Sequence, residues 1–172
     1  MDYSDDGCRT WKRSNLIEAA GTASLADTHG RGIIQPTLWE DEEGVHALLR
    51  SGQGRIYRTD SSDQGETWCE AYPTELPNNN SGIDLTRLED GTLLLAYNPV
   101  GQNFGPRSPL SVAVSGDGAK TWKKLCDLET EPGEFSYPAV VSEGSRIWIT
   151  YTYKRENIAF WEFEWNPAPP QG

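Results

Sequence analysis

The chain has 172 residues, enough for one domain with a real core, and its seven Trp and seven Tyr supply large buried areas despite a hydrophobic share of 36%. Fifteen basic residues against 26 acidic ones leave a net charge of −11. That balance excludes nucleic acid and an anionic membrane surface as partners, because both need a basic face; a small anionic ligand held by a few local arginines stays allowed.

Cys8, Cys69 and Cys126 are three in number and cannot all pair, so free thiols and no disulfide framework are expected. No apolar stretch reaches the roughly 18 residues of a membrane span, and the opening Met1-Asp2-Tyr3-Ser4-Asp5-Asp6 is polar and acidic, unlike a secretory leader. Both features point to a cytoplasmic location.

In chain order, the first feature is the octet Ser4-Asp5-Asp6-Gly7-Cys8-Arg9-Thr10-Trp11, with no strand expected before it. Trp11 to Glu18 reads as a strand, and the Gly-, Ala- and Ser-rich stretch from Ala19 to Gly32 as a loop. Strands follow at Gln35 to Glu40, Val45 to Arg50 and Arg55 to Thr59, each short and bounded by turn residues. The octet then recurs as Ser61-Ser62-Asp63-Gln64-Gly65-Glu66-Thr67-Trp68, and Trp68 to Leu76 is the fourth strand of the group. A second group runs Asp84 to Leu88, Thr92 to Asn98 and Leu110 to Val114, then the third octet, Ser115-Gly116-Asp117-Gly118-Ala119-Lys120-Thr121-Trp122, then Trp122 to Leu128. Tyr137 to Ser142, Arg146 to Tyr153 and Ile158 to Trp165 supply three further strands, and the Pro-rich tail from Asn166 cannot be a ladder strand.

Three octets whose starts lie 57 and 54 residues apart are a repeat, and a propeller blade is the repeat unit that fits best. Physically, each octet is a hairpin turn. Asp6, Asp63 and Asp117 accept backbone N–H groups further on, a Gly takes the positive φ, and Trp11, Trp68 and Trp122 open the next strand with an indole to bury. The octets resemble the Asp box of the sialidase (neuraminidase) superfamily of β-propellers, where the box joins the third and fourth strands of a blade away from the active site.

The expected fold is therefore all-β: one Asp-box propeller domain over 1–172, with blades at about 35–76, 84–128 and 137–165. The strand at 11–18 would close the last blade. Three blades are half of a six-bladed propeller, and a two-fold homodimer would complete it. A fragment of a longer parent, or a monomer whose ends meet, are the other readings of the count.

Strand openings and the turns after second strands share one face of a propeller, the default place for a ligand. That face would hold Gln35, Asp84 and Tyr137 at strand openings, and Arg50, Asn98, Arg107, Tyr153, Lys154 and Arg155 after second strands. His29, Asn79, Asn80, Glu131, Glu134 and Ser136 would join them from the linkers. Sialidases hold the substrate carboxylate with three arginines and use a Tyr nucleophile assisted by a Glu, with an Asp as acid/base. By resemblance, Arg50 and Arg107 match two of the arginines and Tyr137 the nucleophile. Asp84 is the best carboxylate on the face and the candidate base, and Gln35, Asn80 and Arg155 complete the expected substrate-binding set. Gln35 stands where the family has Glu, and an amide cannot take a proton from a phenol with pKa ~10. The family's first arginine and its catalytic Asp have no match in the chain.

His46 reads as structural, His29 as surface, and the run Asp41-Glu42-Glu43 as a solvated turn. No cofactor and no metal site are expected, the two histidines being far apart. The resemblance implies a sialidase-like exo-glycosidase acting on an acidic sugar. A glycan-binding module without turnover, or an inactive self-associating propeller fragment, are the alternatives. The stretches 32–40, 78–84 and 134–138 look most like a bacterial sialidase-like subgroup.

Overall fold

The computed structural model describes residues 1–21 and 32–166. Its described residues form thirteen strands and no helix, arranged as four antiparallel sheets. They fall into two compact units, Met1–Ser81 with Pro99–Gly105, and Gly82–Asn98 with the chain from Pro106 onward.

The first unit holds a hairpin, β1 (Asp2–Tyr3) with β2 (Lys12–Arg13), and a meander of β3 (Ile33–Asp41), β4 (Gly44–Ser51), β5 (Arg55–Ser61) and β6 (Tyr72–Pro77). Tyr57, Trp68, Leu49, Ala47 and Ala71 bury one cluster there with Ala19. The second unit holds β7 (Asp84–Arg87), β8 (Leu93–Tyr97), β9 (Leu110–Ser115) and β10 (Lys123–Glu129) in one meander. A three-stranded sheet of β11 (Phe135–Glu143), β12 (Arg146–Tyr153) and β13 (Asn157–Glu164) completes it. Leu94, Leu110, Val112, Phe135, Ile147, Ile149 and Tyr151 pack these two sheets together. Burying each such side chain contributes about 1.5–3 kcal/mol. β8 is buried on both faces and reads as a continuous apolar run.

The three octets share one hydrogen-bond pattern. In the second, Asp63 Oδ1 accepts the Thr67 N–H at 2.8 Å, Oδ2 accepts the Thr67 hydroxyl at 2.6 Å, and Ser61 Oγ accepts the Gly65 N–H at 2.8 Å. Asp6 with Thr10 and Ser4 with Cys8 repeat it, as do Asp117 with Thr121 and Ser115 with Ala119. The positive φ is carried by two neighbours and not by Gly alone: Gly7 and Cys8, Gln64 and Gly65, Gly118 and Ala119. Trp68 is buried and donates from Nε1 to the Gly65 carbonyl at 3.0 Å. Trp122 is half-buried, whereas Trp11 is 63% exposed, against the expectation of a buried indole.

Three further expectations are corrected. A strand does precede the first octet, because β1 pairs with β2, Asp2 opposite Arg13. The expected strand 11–18 shrinks to Lys12–Arg13. Beyond it the Asn15 side chain replaces a ladder residue: its Oδ1 accepts the Trp68 N–H at 2.8 Å and its Nδ2 donates to the Trp68 carbonyl at 2.9 Å. That engagement also delays the fourth strand of the meander to Tyr72. Finally, Asp41 is no mere solvated charge. His46 is buried between two carboxylates, its Nε2 at 2.9 Å from Asp41 Oδ1 and its Nδ1 at 2.6 Å from Asp60 Oδ1, with its ring stacked 4.9 Å from that of Trp39. Burial pushes the Asp60 carboxyl up, but hydrogen bonds from His46, Tyr72 and Arg58 outweigh it and hold the group below its usual range. Tyr72, although 40% exposed, is pushed up to about 12, by its partial burial first and by its hydrogen bond to Asp60.

Among the described residues, β2 pairs with β1, and the sheet of β11 to β13 has three strands. His29 and the tail from Pro167 lie outside the described residues.

Candidate functional site

β11 opens with Phe135-Ser136-Tyr137-Pro138, and its pairing with β12 is interrupted between Ser136 and Ala139. Pro138 has no N–H to give the ladder, so a bulge is the natural solution. A residue before Pro normally stays extended, yet Tyr137 takes a left-handed φ of 52°. The bulge redirects its side chain, leaving the ring 47% exposed. Gly82 makes room for it, since a Cβ there would sit 3.0 Å from the Tyr137 ring.

Arg107 and Arg155 converge on one carboxylate beside this tyrosine. Arg107 Nη1 donates to Glu134 Oε1 at 3.0 Å and to Ser136 Oγ at 3.1 Å, and its guanidinium lies 5.1 Å from the centre of the Tyr137 ring. Arg155 Nε donates to Glu134 Oε2 at 2.5 Å. The backbone fixes the same arrangement: the Phe135 N–H donates to the Arg107 carbonyl and the Lys154 N–H to the Glu134 carbonyl. Arg155 is itself left-handed, φ 56°, and its hydrogen bond to Glu134 raises its pKa further. Two left-handed non-glycine residues at one carboxylate is the kind of enforced backbone that collects at functional positions. An open cleft of about 590 Å³ adjoins them, lined by Glu134, Tyr137, Thr152, Arg155, Glu156, Asn157 and Ile158.

Asp84, at the start of β7, accepts the Val140 N–H at 2.8 Å and ties the two sheets of its unit together. Asn98 is fully buried and donates to the carbonyls of Pro109 and Phe135, so it supports the opening of β11 from below.

Arg50, Asn80 and Gln35 lie in the first unit. Arg50 ends β4 half-buried, donating from Nη1 to the Asn80 carbonyl at 3.1 Å, while its Nε is buried without a partner among the described residues. Asn80 is left-handed, φ 65°, and its N–H is capped by Asn78 Oδ1 at 3.0 Å. Gln35 sits in a bulge of β3 before Pro36, φ 51°, exposed, in the same local geometry as Tyr137 before Pro138. The candidates thus form two groups, Arg50 with Asn80 in one unit and Arg107, Tyr137 and Arg155 in the other.

Glu134 is the residue to which sequence reasoning gave a place but no role. Its only signal was its position three residues before Tyr137. Among the described residues, no three His, Cys, Asp or Glu side chains converge as metal ligands, and no helix is long and apolar enough to cross a membrane. All three cysteines are free thiols.

The BNR repeat-like domain family matches residues 1–149. No curated protein sequence matches the chain. Among solved structures, the leech intramolecular trans-sialidase complexed with 2,7-anhydro-Neu5Ac is similar with a TM-score of 0.64 at 18% identity, over 95% of this chain and 27% of that one. Trypanosoma rangeli sialidase gives 0.69 at 17%, over 94% and 26%. An α-L-arabinofuranosidase from Fusarium graminearum with an iminosugar inhibitor gives 0.55 at 17%, over 76% and 44%. The chain spans less than half the length of each, and at these identities the likeness is one of fold. With four antiparallel sheets, a repeated Ser/Asp/Thr-Trp turn and a family match over most of its length, the chain belongs to the BNR repeat-like domain family.

Proposed function

We propose that the chain carries part of a sialidase-like carbohydrate site that binds or acts on an acidic sugar. The observation behind this is the convergence of Arg107 and Arg155 on Glu134 beside the exposed ring of Tyr137. Two guanidinium groups meet at one place on a chain of net charge −11, and guanidinium is the group best shaped for a carboxylate. Arg50 and Asn80, with Gln35, are proposed ligand contacts within the first unit. In its catalytic form the Tyr137 phenol gives its proton to Asp84 and its oxygen bonds to the anomeric carbon as the glycosidic bond breaks, the leaving sugar oxygen taking up a proton. The likeness to sialidases supports the acidic-sugar class. The test is ligand-observed NMR and turnover with sialosides, on the parent protein and on Tyr137→Phe and Arg107→Ala. Loss of binding in Arg107→Ala supports the site, and unchanged binding there sinks it.

A second reading, binding without turnover, is favoured by Gln35. It occupies a bulge of the same kind as Tyr137 but carries an amide where a proton acceptor is wanted. Sialoside binding with no hydrolysis, and no change in that in Tyr137→Phe, selects it.

We also infer that the sheets β3 to β6, β7 to β10 and β11 to β13 are three blades of a six-bladed propeller completed by a second copy. β13 is the outer strand of the three-stranded sheet and the place for a fourth. Light scattering behind a sizing column should give the mass of two chains, and the mass of one overturns the homodimer.

A further inference from the structure

We infer that Asn98 is a positioning residue: its buried carboxamide holds the segment of Arg107 and the segment of Tyr137 in one fixed relation, and the grip on an acidic sugar depends on it. It rests on the acidic-sugar reading above and adds what keeps that site assembled.

Asn98 directly follows β8 and is fully buried, out of a ligand's reach. Its Nδ2 donates to the Pro109 carbonyl at 2.8 Å and to the Phe135 carbonyl at 3.0 Å. Pro109 stands two residues after Arg107, and Phe135 two residues before Tyr137. A carboxamide nitrogen carries two N–H groups that diverge in a plane, so one atom serves both carbonyls at once. A hydroxyl has one such proton and a carboxylate none. The same two segments also meet directly. The Phe135 N–H donates to the Arg107 carbonyl at 3.1 Å, and Arg107 Nη1 donates to Ser136 Oγ, also at 3.1 Å. Phe135 and Ser136 are fully buried, so this junction is closed to solvent.

The bulge explains why such a junction is needed. Tyr137 holds a left-handed φ of 52° ahead of Pro138, a costly conformation that persists only where the surroundings enforce it. The backbone is gripped on both sides of it. Asn98 holds Phe135 ahead of the bulge, and Asp84 accepts the Val140 N–H at 2.8 Å behind it. Without the Asn98 carboxamide the leading side is released and two buried carbonyls lose a donor. Tyr137 then relaxes toward extended backbone, and its ring leaves the Arg107 guanidinium, which lies 5.1 Å from the ring centre.

The experiment follows the site both with and without ligand in Asn98→Ala. Calorimetric titration with methyl α-sialoside, well below the melting temperature, should show an affinity lower by roughly tenfold or more. A loss of global stability alone leaves the affinity of the folded protein unmoved. Without ligand, the Arg107 side-chain proton resonances, displaced by the Tyr137 ring current in the parent, should move toward those of a free arginine. Tyr137→Phe keeps a ring there and keeps the displacement. Asn98→Asp is the second variant, should Asn98→Ala fold poorly. Burial favours the protonated form of such a carboxyl, which regains one donor, so its affinity relative to the parent should recover as the pH is lowered. Parent-like affinity or an unmoved Arg107 signal in folded Asn98→Ala overturns the inference and leaves the acidic-sugar reading standing. So does an Asn98→Asp affinity that keeps a constant ratio to the parent across pH. A parent that binds no sialoside overturns that reading, and the role of Asn98 with it.

Discussion

Glu134 decides how the arginines face the cleft. With its two oxygens divided between Arg107 and Arg155, it sets the angle of both guanidinium groups. In Glu134→Gln one of the two charge-assisted bonds is lost and Arg155 is released. Affinity for methyl α-sialoside should drop by roughly tenfold, an effect of about 1.4 kcal/mol, with little change in melting temperature. Titration with a melting curve alongside checks both halves. His46 is the opposite case, a residue whose worth is structural. His46→Ala takes the ring away from Asp41 and Asp60, both half-buried, and should cost about 1–3 kcal/mol in urea denaturation. The structural place of His46 could be read from sequence, but the role of Glu134 could not, because its partner is remote in the chain. Arg107 is 27 residues from Glu134, and nothing local marks a glutamate as a hub. The bulge at Tyr137 is local by contrast, since it sits in an unbroken run with Pro138.

At the scale of the element, the octets were legible because all their chemistry is local: the Ser and the Asp each cap the chain within a few residues. Their acid sensitivity follows. Hydrogen bonds from Thr10, through its backbone and then its hydroxyl, hold Asp6 at about 2, and those of Thr121 do the same for Asp117. Both folded values lie below the unfolded one of about 3.9, so this stabilisation is complete above about pH 4 and is lost as the pH falls from about 4 to 2. Melting temperatures measured across that window should fall steeply, and less so in Asp117→Asn. The strand after the first octet was overestimated for a reason that composition hides. Asn15 satisfies the backbone of Trp68 with its side chain, which ends one ladder and postpones another. Asn15→Ala should therefore destabilise the first unit by about 1 kcal/mol, read as a lower urea midpoint at unchanged slope.

For the whole molecule, the all-β class was legible because the turn repeats and because β4, β8 and β12 are short apolar runs between turn residues. The two-residue β1 was too short to leave a periodic signal. The third sheet leaves Val141, Ile158, Phe160 and Trp161 exposed beside an outer strand, a surface that monomers seldom keep bare. If a second copy covers it, dilution should unmask it. An apolar dye is expected to brighten at low protein concentration, in step with the fall in mass, and an unchanged signal counts against that cover.

The bulges before Pro36 and Pro138 have one more consequence. Each takes its residue out of the ladder, so what is displayed at 35 or 137 is uncoupled from what holds the sheet. They behave as sockets. Exchanging the displayed group alters the chemistry on offer while the scaffold is spared, and Gln35→Glu would be the smallest such exchange. A chain built this way can gain or shed a reaction in single substitutions, and its fold would keep no record of which it had done.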